Sequence, residues 1–166
     1  MKISITTIVA LVASISFATA AEKIKAPNNG RIIDSVEPHA EFLVTKEKKI
    51  EIRFLDDAGK VIAPAAQIVS VVMGDRSAPT KLAFTKDGDK LVSDKVVAEG
   101  ESLPVVLTIK TTPDAKAVTE KFNLNLANCP TCSNAEYACT CDHAKDGKKA
   151  PGHEGHDHKP GDKHDH

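Results

Sequence analysis

Tryptophan is absent from this chain and tyrosine occurs once, which removes any aromatic platform on which bases or sugar rings would stack. Charge of one sign is not in excess either. The 22 Lys and Arg residues face 23 Asp and Glu, for a formal net charge of −1 with histidine neutral. A chain so balanced lacks the basic footprint by which proteins hold nucleic acid or an anionic membrane surface. Catalytic patterns are missing as well: there is no G-x-S-x-G, no H-E-x-x-H, and no Cys/His pair on a rigid scaffold. The chain is therefore read as a non-enzyme.

Two further absences are positional. No long apolar run follows the first 20 residues, and no cysteine precedes residue 129. Residues 1–20 have the form of a secretory signal peptide. Lys2 gives the positive start, a mostly apolar stretch runs to Phe17, and Ala18-Thr19-Ala20 is a small-residue cleavage site. A membrane anchor would need about 20 strongly apolar residues, and this stretch is diluted by serine and threonine. The expectation is an exported, periplasmic protein with no membrane insertion once the signal is removed. Loss of Lys2 would take the formal charge from −1 to −2.

What the chain does have, in residues 21–128, is a series of short alternating runs. In Ile50-Glu51-Ile52-Arg53-Phe54-Leu55 the apolar side chains face one way and the charged ones the other. That is the period-two signature of a strand with one buried face. Similar runs occupy 41–45, 67–73, 81–85, 90–97, 104–111 and 117–126. Turn residues separate them at Asp56-Asp57-Ala58-Gly59, Gly74-Asp75, Asp87-Gly88-Asp89, Glu99-Gly100-Glu101 and Pro113-Asp114. Residues 21–38, with Pro27-Asn28-Asn29-Gly30, read as an extended arm with a turn. No helical period is sustained. The pattern predicts an all-β domain, an antiparallel immunoglobulin-like β-sandwich of about seven strands.

Beyond Asn128 the composition changes. All four cysteines and six of the seven histidines lie there. Residues 129–141 hold Cys129, Cys132, Cys139 and Cys141 in the spacing C-x2-C-x6-C-x-C. Thiolates at such intervals suit zinc, or Cu(I) at lower coordination number. Zinc ribbons place about 15–20 residues between their cysteine pairs, whereas this segment places six. In an oxidising compartment the same residues also make two disulfides, and pairing would run between the two clusters because a Cys139–Cys141 ring is strained. Both readings stay open on the sequence. A thioredoxin-like role is disfavoured, since the Cys129–Cys132 pair has no βαβ context.

Residues 142–166 contain no large apolar side chain and are expected to be a disordered tail. His143, His153, His156, His158, His164 and His166 stand there among Glu154, Asp157, Asp162 and Asp165. Imidazole and carboxylate within one flexible reach suit Zn, Ni, Cu(II) or Co, and binding would weaken as protons compete below about pH 6.5. His39 stands apart, just before the first alternating run, as a surface residue or an added ligand. Asp56-Asp57 and Asp87-Gly88-Asp89 lack the ligand ladder of an EF-hand and read as hairpin turns.

The stretch 27–64 resembles a module of small bacterial periplasmic heavy-metal-handling proteins, associated with metal efflux. Its pattern is a Pro-Asn-Gly-Gly start, a turn histidine, an E-F/L-V strand and a strand ending D-x-x-G-K. Pro27 to Gly30 match the start with Asn29 in place of the first glycine, His39 the turn, Phe42 to Val44 the first strand, and Asp56 to Lys60 the ending. The resemblance covers about a quarter of the chain and implies a β-sandwich engaged in periplasmic metal handling. Together these readings predict an exported protein that buffers or delivers a transition metal (Zn, Cu or Ni) through its Cys/His-rich C-terminus, with an efflux or uptake system as partner. The rival is a disulfide-clipped interaction module of the cell envelope with a solvated tail.

Overall fold

A computed structural model describes residues 23–141, so the proposed signal at 1–20 and the tail at 142–166 lie outside the described residues. The described chain is all-β and antiparallel. Its strands are β1 (Arg31–Ile33), β2 (His39–Val44), β3 (Lys49–Leu55), β4 (Val61–Ile62), β5 (Ile68–Met73), β6 (Thr80–Asp87), β7 (Lys90–Val96), β8 (Leu103–Lys110) and β9 (Val118–Leu124). Each of the seven runs expected from alternation is a strand. The two additions are short: β1 lies in the segment read as an extended arm, and β4 pairs only with the end of β3.

The strands follow one hydrogen-bonded path, β1-β2-β3-β7-β6-β5-β8-β9, which curls until it is nearly closed into a barrel. Strand β6 makes the bend. Its first half, from Thr80 to Ala83, pairs with β5, and its second half, from Phe84 to Asp87, pairs with β7. A strand that changes partners midway lets a single sheet bend sharply and curl toward closure. The β6–β7 hairpin closes on Gly88 and Asp89, with Gly88 at φ 61°, the left-handed conformation that a two-residue turn requires.

Alternation translates directly into burial. Ile50, Ile52 and Phe54 are fully buried, while Glu51 and Arg53 on the opposite face pair with each other at 2.6 Å. Val105, Leu107 and Ile109 of β8 face the same core, as do Val69, Val71 and Met73 of β5. Where β3 meets β7 the register shifts between Lys49 and Glu51. The Ser93 hydroxyl repairs that bulge: it accepts the Ile50 N–H at 3.0 Å and donates to the Lys95 carbonyl at 2.7 Å.

The ends of the path approach without completing a ladder. The Phe42 ring of β2 meets Phe122 of β9 edge to face at 5.2 Å, and the Arg31 guanidinium lies 4.8 Å above the Phe122 ring. Below this seam the carboxylate of Glu41 is fully buried. It accepts hydrogen bonds from Asn28 N (2.8 Å), Asn28 Nδ2 (2.9 Å) and Gly30 N (2.9 Å). Gly30 is required by close approach, because a Cβ there would meet Phe42 O at 2.6 Å and Glu41 Cγ at 2.7 Å. The Pro27 to Gly30 turn thus wraps one buried acid.

Candidate metal centre

The chain leaves β9 at Leu124 and folds straight back. Asn128 and Ala135 form an antiparallel bridge, and between them Cys129 N donates to Asn134 O at 2.7 Å and Ser133 N to Cys129 O at 3.0 Å. Ser133 takes a positive φ of 60° to close this tight loop. Pro130 sits at its start, where a fixed φ favours a turn. A single 3-10 turn, Glu136–Ala138, then reverses direction and returns Cys139 and Cys141 toward Cys129 and Cys132.

The reversal is held by the barrel. Glu136 N donates to Ala127 O at 2.8 Å and Tyr137 N to Asn125 O at 3.1 Å. Tyr137 is only 5% exposed, its ring packs edge to face on Phe42 at 5.9 Å, and Arg31 donates to its carbonyl at 3.3 Å. Ala138 joins the same core. The cysteine segment packs on the folded body at the seam between β2 and β9.

The four sulfurs converge, all lying within 4.8 Å of one another. Cys139 Sγ is 3.5 Å from Cys129 Sγ and 3.7 Å from Cys132 Sγ, contacts that run between the two pairs. A tetrahedral zinc with bonds of about 2.3 Å separates its sulfurs by roughly 3.8 Å. The cluster thus approximates the donor spacing of a four-thiolate centre before any ion is added. Cys129 is buried, and the other three are partly exposed.

Electrostatics divide the set. Backbone N–H groups of Cys132 and Thr131 point at the Cys129 sulfur and hold its pKa below the ordinary thiol value. The Asn134 N–H does the same for Cys132, which falls to about 7. Burial pushes Cys139 up. Burial, with the neighbouring sulfurs, pushes Cys141 up to about 12. The loop therefore stabilises negative charge on Cys129 and Cys132 by itself, while Cys139 and Cys141 hold their protons more tightly. Coordination of a divalent ion by such a set would release the protons still held by its thiols.

Other expected ligands are placed differently. His143, His153, His156, His158, His164 and His166 lie outside the described residues. His39 opens β2, and the candidate ligands gathered around it are Glu37 and Asp57 rather than the sulfurs. Tyr137 was not singled out by sequence. Its signal was available: it is the chain's one tyrosine, set between two cysteine pairs in an otherwise polar stretch. No protein-family model, curated protein or solved structure matches the chain.

Proposed function

We propose that the protein binds a transition metal through Cys129, Cys132, Cys139 and Cys141 and works outside the cytoplasm as a buffer or carrier of that ion. The observation that carries this reading is the mutual approach of four cysteine sulfurs, all within 4.8 Å of one another, on a loop anchored to the β-domain. Donor type favours zinc or Cu(I), the ions that soft thiolates prefer. The histidines from His143 to His166 would act as a capture arm of lower affinity, suited to Zn, Cu(II) or Ni, that raises the local ion concentration near the sulfurs. Export rests on the form of residues 1–20, and an efflux or uptake system is the partner that a periplasmic carrier would serve. The immunoglobulin-like sandwich belongs to the same proposal, supported by the change of partners along β6, whose first half pairs with β5 and second half with β7.

Elemental analysis of the mature protein, purified without metal-affinity chromatography, tests the function. One ion per chain that disappears when the four cysteines are replaced by serine is the expected result. Two disulfides and no sulfur-held ion would favour the envelope interaction module instead.

A further inference from the structure

A second group of ligand-bearing side chains meets at the opposite kind of location, on open strand ends rather than on a docked loop. His39 begins β2 and pairs in register with Leu55 at the end of β3, so the turn after β3 rises beside it. In that turn Asp56 does the structural work. Its Oδ1 accepts Ala58 N at 3.0 Å and Lys60 N at 2.8 Å, and its carbonyl accepts Gly59 N at 2.8 Å. Among the described residues the Asp57 carboxylate has no hydrogen bond or ion pair. It is left over by the fold and lies beside His39. From the other side Glu37 brings its Oε2 to 3.4 Å from His39 Nε2. One ligand atom from each of Glu37, His39 and Asp57 lies within 4.8 Å of the other two.

Two features distinguish this trio from a chance gathering of surface acids. The imidazole is largely enclosed, with 19% of its side chain exposed, and its Nδ1 is buried without a hydrogen-bond partner. The two carboxylates come from separate connections and converge on that ring although like charges repel. Neither has a cationic side chain of Lys or Arg as an ion-pair partner among the described residues.

The geometry points to a second cation site, at Glu37, His39 and Asp57, for a hard to borderline divalent first-row ion such as Mn2+, Co2+ or Zn2+. One imidazole and two carboxylates make a donor set of mixed nitrogen and oxygen, which such ions accept with water filling the remaining positions. It is chemically unlike the four-sulfur cluster, which selects softer ions, and it does not depend on that cluster. A chain with both would hold two classes of cation on one barrel.

Mn2+ is the probe, because its relaxation effect is local and thiolates bind it poorly. Amide spectra of the full mature chain are recorded during Mn2+ titration, for the natural sequence, for Asp57→Asn, for His39→Ala and for a chain with all four cysteines changed to serine. The expected result is early broadening of the amides of residues 37, 39, 40 and 57–59 in the natural and cysteine-free chains. Both Asp57→Asn and His39→Ala should need at least tenfold more Mn2+ for the same broadening. Asp57 is exposed, so Asp57→Asn keeps the fold, and its undisturbed spectrum elsewhere verifies that. Broadening that is absent at this corner, unchanged by Asp57→Asn, or abolished by removing the cysteines would overturn the assignment. Loss of the sulfur-held ion in the cysteine-free chain bears on the proposed function alone, so the two readings fail separately.

Discussion

The Tyr137 hydroxyl accepts a hydrogen bond from the Val44 backbone N–H at 3.0 Å, tying the loop that carries the thiols to the end of β2. Donor and acceptor are 93 residues apart in sequence. The same ring stacks edge to face on Phe42, so one side chain joins the candidate metal centre to the hydrophobic core. The centre and the barrel seam are thereby one mechanical unit.

Removing the hydroxyl and removing the ring should have separable costs. Tyr137→Phe leaves the Val44 N–H without its partner and should destabilise the fold by about 1 kcal/mol. Tyr137→Ala also opens a cavity against Phe42 and should cost about 3–5 kcal/mol. Urea unfolding of the two variants at fixed metal content measures both. Similar costs for the two would mean that the ring contributes little to the seam.

Tyr137 is also an internal reporter, because the chain has no tryptophan and no second tyrosine. Adding zinc to the reduced, metal-free protein should change tyrosine emission in step with thiol occupancy. The change should saturate at one ion per chain and vanish in Cys132→Ser. A fluorescence titration that continues smoothly through several equivalents would locate the binding elsewhere.

Thiol reactivity should follow the local N–H donors. Cys132, held at about 7 chiefly by the Asn134 N–H, is substantially thiolate near neutral pH, while Cys141 at about 12 is protonated. In metal-free protein, alkylation should therefore begin at Cys132 and accelerate as pH rises through about 7, with Cys141 modified last. Peptide mapping of timed samples gives the order directly. Saturating zinc should suppress all four reactions, because each sulfur is then coordinated.

Two acids should lose stability on substitution for different reasons. Glu41 is enclosed by three donors, so Glu41→Gln turns an acceptor into a donor facing N–H groups and should cost about 2–3 kcal/mol. Glu51 is different. Burial opposes its ionisation, but hydrogen bonds and charge from Lys90 and Arg53 outweigh that and keep its carboxyl below the usual range. A depressed folded-state pKa gives stability that is present above the unfolded value and lost as pH falls through the folded one. Glu51→Gln should therefore weaken the protein at neutral pH and reduce the slope of its acid unfolding curve. Parallel thermal melts from pH 7 down to about 3 test this, since the unfolded-state carboxyl titrates near 4.3.

Much of the fold was legible because alternation is a local property. Ile50, Ile52 and Phe54, or Val105, Leu107 and Ile109, announce a buried face without reference to any partner. Strands β1 and β4 were not visible, since three residues and two residues are too few to establish a period. Leu126, inside the run 117–126 read as a strand, is 39% exposed because β9 ends before it. The cysteines were recognisable as a cluster, but their docking was not. That depends on Tyr137 finding Phe42 and Val44 across the seam, a long-range contact that no spacing encodes. Asp57 was read as a turn residue, which it is; its placement beside His39 follows from the register of β2 on β3.

The account rests on four sulfurs converging to hold a cation, and cobalt substitution tests that most directly. Co2+ is added to the reduced mature protein and the thiolate-to-metal charge-transfer absorption is followed to saturation. One equivalent should give the intense bands of a tetrahedral four-thiolate site, displaced by zinc and lost when Cys129, Cys132, Cys139 and Cys141 are replaced by serine. Binding with no sulfur charge-transfer band, or with a band unaffected by those replacements, would contradict it.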